Sequence, residues 1–234
     1  MVDANYFKSV VLSRHSVRAF TTQSVDEATI RELLEIAAQA PSGTNIQPWQ
    51  VYVVQGEKRQ QIIDAVQQVV EETQYNLALK QQYQSIFQYY PKTWFEPYLS
   101  RRRQNGWGLY KLLNIQKGEK EKMHRYQIRN FEFFGAPVGL FFTAHKDLHV
   151  SAKMAIAMYM QTLMLTAKAY GLDTCAQAAW NDYHSVVMPL LGADEDQELI
   201  CGMALGYTDS TQVINDYRTP RLKVEEFTTF LNHL

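Results

Sequence analysis

Apolar residues recur along the chain with two different periods, and the changes of period divide it into elements. In "DANYFKSVVLS" (3–13), Tyr6, Phe7, Val10 and Val11 stand at helical spacing with Asp3 placed to cap them, which predicts a short helix. "SVDEATIRELLEIAAQA" (24–40) carries Ile30, Leu33, Leu34, Ile36 and Ala37 on one face. Ser24 followed by Glu27 forms a capping-box pattern at its start, and Pro41 ends it. "WQVYVV" (49–54) is a strand-like run before a turn at Gly56, and "APVGLFFTA" (136–144) and "ELICGMALGY" (198–207) read as buried strands. The segment 148–170 is apolar almost throughout and ends at Gly171, so it predicts a central helix with a glycine cap. A helix apolar nearly all round needs cover on every side, which predicts a homodimer built on it.

Helices and strands interleave without a regular β-α-β beat and without repeats, so the expected class is α+β, with a central mixed or antiparallel sheet flanked by helices. Residues 71–130 depart from the pattern, being rich in Gln, Tyr, Arg and Lys, with "QYYPKTWFEPY" and "SRRRQNGWGLY" at their centre. They read as an inserted helical cover on a single domain spanning 1–234.

Composition narrows the functional classes. The 234 residues are 46% hydrophobic, enough for one full core. Lys plus Arg number 23 against 24 Asp plus Glu, so no overall field attracts nucleic acid or an anionic membrane, and any anion site has to be local. Asp3, Lys8 and Arg14 interrupt the first twenty residues, and the run "FFGAPVGLFFTA" is too short to span a bilayer. A soluble, cytoplasmic protein is expected, with Cys175 and Cys201 as reduced, buried thiols.

Several chemistries lose support because the chain has no G-x-G-x-x-G after a strand, no P-loop, no H-E-x-x-H and no G-x-S-x-G. The six histidines lack ligand spacing with carboxylates or thiols, so no metal site is expected. Three polar clusters remain. In "RHSVRAF" (14–20), Arg14, Ser16 and Arg18 alternate and so point the same way in extended chain, as an anion site requires. In "PSGTNIQPW" (41–49), Ser42, Thr44 and Asn45 offer hydroxyl and amide groups, while Gly43 admits a close backbone approach that a Cβ would block. "YRTPR" (217–221) adds Arg218 and Arg221. Taken singly, the arginine pair reads more readily as a solvated face and the second cluster as a well-made loop than as a site.

Together these clusters resemble the FMN-dependent nitroreductase family. "RHSVRAF" is similar to its N-terminal R-x-S-x-R flavin motif, "APSGTNIQPWQVYVV" to its second, and "GLDTCAQAAW" and "ICGMALGY" with the later arginines to the rest. The interposed "YYPKTWFEPYLSRRRQNGWGLY" and "RNFEFFGAPVGLFFT" look like the subgroup of nitrobenzoate and dinitroaniline reductases, and the likeness covers about residues 5 to 230.

The resemblance implies a nitroreductase-like flavin fold, a homodimer, FMN as cofactor, NAD(P)H as a transient donor, and ping-pong reduction of nitroaromatic or related electron-poor aromatic or quinone compounds. It puts Arg14 and Arg221 on the FMN phosphate, with Arg218 as a further candidate and His15 within the motif. Ser16 would bond the phosphate or ribityl chain. Arg18 would lie at the pyrimidine edge, where a cation stabilises the reduced ring. Ser42, Gly43 and Asn45 would reach the flavin from the other subunit, Ala176, Gln177 and Ala178 would line its N5 side, and Gly206 belongs to the last motif. Thr44, Glu71, Tyr75, Trp94, Tyr98, Arg102 and Trp107 are the candidate substrate contacts, the insert's aromatics forming a roof or access channel with Tyr110. No catalytic side chain is implied, since protons can come from water or the flavin. The insert is expected to lie outside the three clusters. Two other readings stay open: a reductive dehalogenase of halotyrosines, whose lid spacing Glu71 and Tyr75 reproduce while Glu96 stands where its lysine is expected, and a flavin-binding protein without turnover.

Overall fold

The computed structural model describes residues 3–231. Helix α1, Ala4–Ser13, starts at Asp3, whose carboxylate accepts the Asn5 N–H at 2.9 Å. Helix α2, Glu27–Ala37, is capped by Asp26 and not by Ser24: Oδ1 accepts the Thr29 N–H at 2.8 Å and Oδ2 the Thr29 hydroxyl at 2.7 Å. The carboxylate adjoins the first turn, where it meets the exposed N–H groups directly.

Four strands form one sheet in the order β1-β2-β4-β3: β1 Gln50–Val54, β2 Val138–His145, β3 Asp173–Gln177 and β4 Gln197–Gly206. All neighbours are antiparallel. The two central strands are covered on both faces, which is why they read as continuous apolar runs with no alternation. Strand β3 was not foreseen, because "DTCAQ" is short, polar at both ends and lacks β-branched bulk apart from Thr174.

One face of the sheet packs Leu140, Phe142, Met203 and Leu205 against α2 and the long helix α7, His149–Ala169. The other packs Phe141 and Ala204, with Phe133 and Trp180 from the flanking turns, against α3, Gly56–Thr73, and α8, His184–Leu191. Gly56 therefore opens a helix where a turn was expected. The spacing of Ile62, Ile63, Val66 and Val70 is helical, but intervening Gln and Glu dilute it. Gly171, at φ 74°, ends α7 as its sequence predicts.

Helix α7 buries Ala152, Ala155, Ile156, Tyr159, Leu163 and Ala167, yet leaves Val150 68% and Met154 62% exposed. Within one chain it is thus covered on one side only. The stretch read as an insert contains α4 Leu77–Lys80, α5 Tyr98–Leu112 and α6 Lys120–Ile128. Cys175 and Cys201 are free and buried. Among the described residues, no helix is long and apolar enough to cross a membrane.

Candidate active site

The chain leaves α1 in extended form and runs beside β3. Ser16 bridges Thr174 in parallel, and the Val17 N–H donates to the Thr174 carbonyl at 3.2 Å. Alternation then sorts the side chains: Val17 and Ala19 are buried, while Arg14, Ser16 and Arg18 are half-buried, with the Ser16 hydroxyl beside the Cys175 thiol and both arginines near enough to act on its charge. Burial pushes that thiol up, and these three groups pull the other way. Burial, and after it the neighbouring Arg221, hold the Arg14 guanidinium below its ordinary value.

Among the described residues, no ion pair includes Arg14, Arg18, Arg218 or Arg221. The side chains of the last three bond backbone carbonyls and a hydroxyl. Arg18 Nη1 donates to Ser16 O at 3.1 Å, Arg218 Nη1 to Asn215 O at 2.5 Å, and Arg221 Nη1 to Thr219 O at 3.1 Å and Thr219 Oγ1 at 2.5 Å. Two neighbouring guanidiniums, neither in an ion pair among the described residues, suit a dianion. His15 lies beside them with Nδ1 on Ser13 O at 3.1 Å and Nε2 buried without a partner.

Asn215, which sequence reading did not single out, ties the first cluster to the third. It is 5% exposed. Its Oδ1 accepts the Arg18 N–H at 2.8 Å, and its Nδ2 donates to Ala19 O at 2.8 Å and Asp209 O at 3.0 Å. Two residues on, Tyr217 lies across α5. Its hydroxyl donates to Asn105 O at 3.2 Å, and a Cβ on Gly108 would fall 2.4 Å from that hydroxyl oxygen. The insert therefore docks on the C-terminal cluster, contrary to the expectation that it stands apart. Tyr126 of α6 was also missed; its hydroxyl is buried without a partner and is pushed up to about 12 by burial, with Arg18 opposing.

At the far end of β3 the polar character returns. Gln177 is buried, its Nε2 donates to Asn130 O at 2.6 Å, and its Oε1 has no partner. A cavity of about 300 Å³ opens here between His124, Asn130, Ala179, Asp182 and Tyr183. Burial raises the Asp182 carboxyl, with the Ser85 N–H and Lys80 opposing. At ~3.3 Å per residue, Ala178 stands about 13 Å beyond Thr174. An anion site at one end of a strand edge and unpaired polar groups at the other suit an elongated ligand.

Two expectations need correction here. Ala176, Gln177 and Ala178 do not line one spot. Gln177 turns toward the Trp180 side, whereas Ala176 turns the other way and walls an apolar cavity of about 400 Å³ with Phe87, Tyr89, Met160, Met164 and Cys201. Gly206 is buried, and a Cβ there would lie 2.7 Å from Pro137 Cδ, so close packing already accounts for a glycine at this position. The insert's aromatics form two groups and not one roof. Arg102 lies 5.1 Å over the Trp94 ring and Arg101 5.6 Å over Tyr98. Trp107 pairs with Tyr110 nine positions after Tyr98, ~13 Å further along the helix.

The 42–45 loop is exposed and makes only internal hydrogen bonds; Thr44 and Asn45 have φ of 48° and 59°, and Ser42 Oγ accepts the Gln47 N–H at 3.0 Å. A Cβ on Gly43 would meet nothing within 4 Å. The close approach expected at Gly43 is not set within one chain. Glu71 and Tyr75 face solvent at the end of α3, Tyr75 being 86% exposed, and are not closed over the arginine cluster.

Residues 11–207 match the model of the nitroreductase family. The chain is 36% identical over 226 residues to a 4-nitrobenzoate reductase of Nocardioides sp. (strain LMS-CY), covering 96% of this chain and 90% of that protein. It is 32% identical over 232 residues to a chloronitrobenzene nitroreductase of Comamonas testosteroni, covering 99% and 100%. The crystal structure of the FMN-dependent nitroreductase NfnB from Mycobacterium smegmatis in complex with NADPH superposes with a TM-score of 0.89 at 31% identity, over 97% of this chain and 98% of that one. On the match of its sequence and its fold, the chain belongs to the nitroreductase family.

Proposed function

We propose that this protein is an FMN-dependent NAD(P)H oxidoreductase that reduces nitroaromatic carboxylates. The observation that carries the reading is that Arg14 and Arg221 are neighbours and that neither forms an ion pair among the described residues. FMN, when bound, supplies two-electron transfer between the nicotinamide donor and the aromatic acceptor. Arg14 and Arg221 hold its phosphate, with Arg218 close by and the Ser16 hydroxyl beside them. Arg18, oriented by Asn215, presents a positive charge to the pyrimidine edge, where it favours the reduced form of the ring. Ala179, in the wall of the cavity beyond β3, borders the ring's reactive side.

Donor and acceptor use the same place in turn, in a ping-pong cycle. The first two-electron step is R–NO₂ + NAD(P)H + H⁺ → R–NO + NAD(P)⁺ + H₂O, with the protons drawn from water. Arg102 over Trp94 combines a flat apolar surface with a guanidinium, which suits a nitrobenzoate ring and its carboxylate. The names of the Nocardioides and Comamonas relatives support a nitroaromatic acceptor. A second copy of the chain covers the Val150–Met154 side of α7 and brings its own Ser42–Asn45 loop to the flavin. The exposure of that helix side and of that loop supports this arrangement.

The test is anaerobic. The purified protein should be yellow, bleach with NADPH or NADH, and regain its colour with 4-nitrobenzoate. Bleaching reversed only by a halotyrosine would favour dehalogenation, and failure to bleach would leave a flavin-binding protein without turnover.

A further inference from the structure

Building on the FMN reading, we infer that Arg101, from the insert helix α5, is a third guanidinium of the phosphate site, so that the insert holds the cofactor as well as facing the acceptor. Arg101 and Arg221 wall one cavity of about 380 Å³, opened between the start of α5 and the 219–222 segment. Its other walls are Gln104, Asn105, Thr219, Pro220 and Leu222, with no carboxylate. Arg221 in turn neighbours Arg14 closely enough to depress its basicity. Arg101 forms no ion pair among the described residues and lies over the Tyr98 ring at 5.6 Å. Guanidiniums gathered around one cavity with no carboxylate in its walls offer a phosphate monoester dianion, which accepts several arginine forks at once, a ready set of donors.

The placement of α5 is built in. Gly108 lets the Tyr217 ring sit against the helix backbone where a Cβ would come within 2.4 Å, and the Tyr217 hydroxyl donates to Asn105 O at 3.2 Å. Asn105 lines the cavity itself. The contact thus sets the distance between the helix that carries Arg101 and the segment that carries Arg221.

Flavin-free protein titrated with FMN and, separately, with riboflavin isolates the phosphate contribution. Arg101→Ala should weaken FMN about tenfold and leave riboflavin unchanged, with part of the loss recovered in Arg101→Lys. Gly108→Ala should lower the same FMN-to-riboflavin ratio, and Tyr217→Phe serves if that variant does not fold. A wild-type ratio in Arg101→Ala, or equal loss of FMN and riboflavin, overturns the inference. Arg14→Ala is the control: if its ratio falls while that of Arg101→Ala does not, the phosphate site stands without Arg101. If neither ratio moves, the assignment of the arginine cluster to the phosphate fails as well.

Discussion

Asn215 accepts the Arg18 amide N–H at 2.8 Å across 197 residues of chain. The same side chain bonds the carbonyls of Ala19 and Asp209, so one buried amide fixes the N-terminal motif against the C-terminal one. Asn215→Ala strands these buried groups at a cost of about 1–3 kcal/mol each. Urea unfolding should show the loss, and flavin content should fall with it. Asn215→Asp retains the acceptor for Arg18 but loses both donors, and an intermediate result is expected. Full stability and full flavin content in Asn215→Ala would contradict the role.

Acceptor choice should respond to the start of the insert. Trp94→Ala combined with Arg102→Ala removes the stacked pair seen at 5.1 Å. We expect kcat/KM for 4-nitrobenzoate to fall about tenfold or more, the scale of one lost stacking or charge contact. An uncharged nitroaromatic should lose less, and bleaching by the nicotinamide should persist. Equal small losses for both acceptors would reduce the pair to surface packing.

The bare side of α7 predicts the assembly. Met154→Asp with Met158→Asp places two charges on residues exposed in one chain, where they cost a monomer little. In a dimer they become buried and unpaired. Sedimentation should shift from dimer to monomer at micromolar concentration, with loss of bound flavin. A dimeric, flavin-loaded variant would place the interface elsewhere.

His15 sets a pH dependence in the flavin-free protein. Burial, seconded by Arg218 and Lys168 and opposed by the Ser13 carbonyl and Asp173, lowers its basicity from the ordinary value of 6.5. The unfolded chain therefore binds the proton more readily than the folded one. The contribution to stability is complete above about 6.5 and is lost as the pH falls toward the folded value. Urea midpoints between pH 5 and 8 should rise with pH, and His15→Gln should flatten that rise. An unchanged slope in the variant would assign it to other groups.

Local order was legible wherever a residue's own neighbours decide it. The apolar runs of β2 and β4, the stripe of α2, the Asp3 cap, the Gly171 stop and the alternation of Arg14, Ser16 and Arg18 are all short-range, because a strand repeats every two residues and a helix every 3.6. The motifs around these elements were enough to suggest the family. Strand β3 escaped because its pairing with β4 and with Ser16, not its composition, makes it a strand.

Tertiary structure alone decided how the clusters meet. Asn215 looks like a turn residue in "VIND", and only the approach of two segments 197 residues apart makes it a tie. That Pro137 packs where a Gly206 Cβ would stand, and the Tyr217 ring where a Gly108 Cβ would stand, is decided by residues far away in the chain. Which side of α7 stays bare likewise depends on what α2 and the sheet already cover. The physical reason is common to all four: a side chain's charge, size and spacing are local properties, whereas its burial and its hydrogen-bond partners are set by distant parts of the chain.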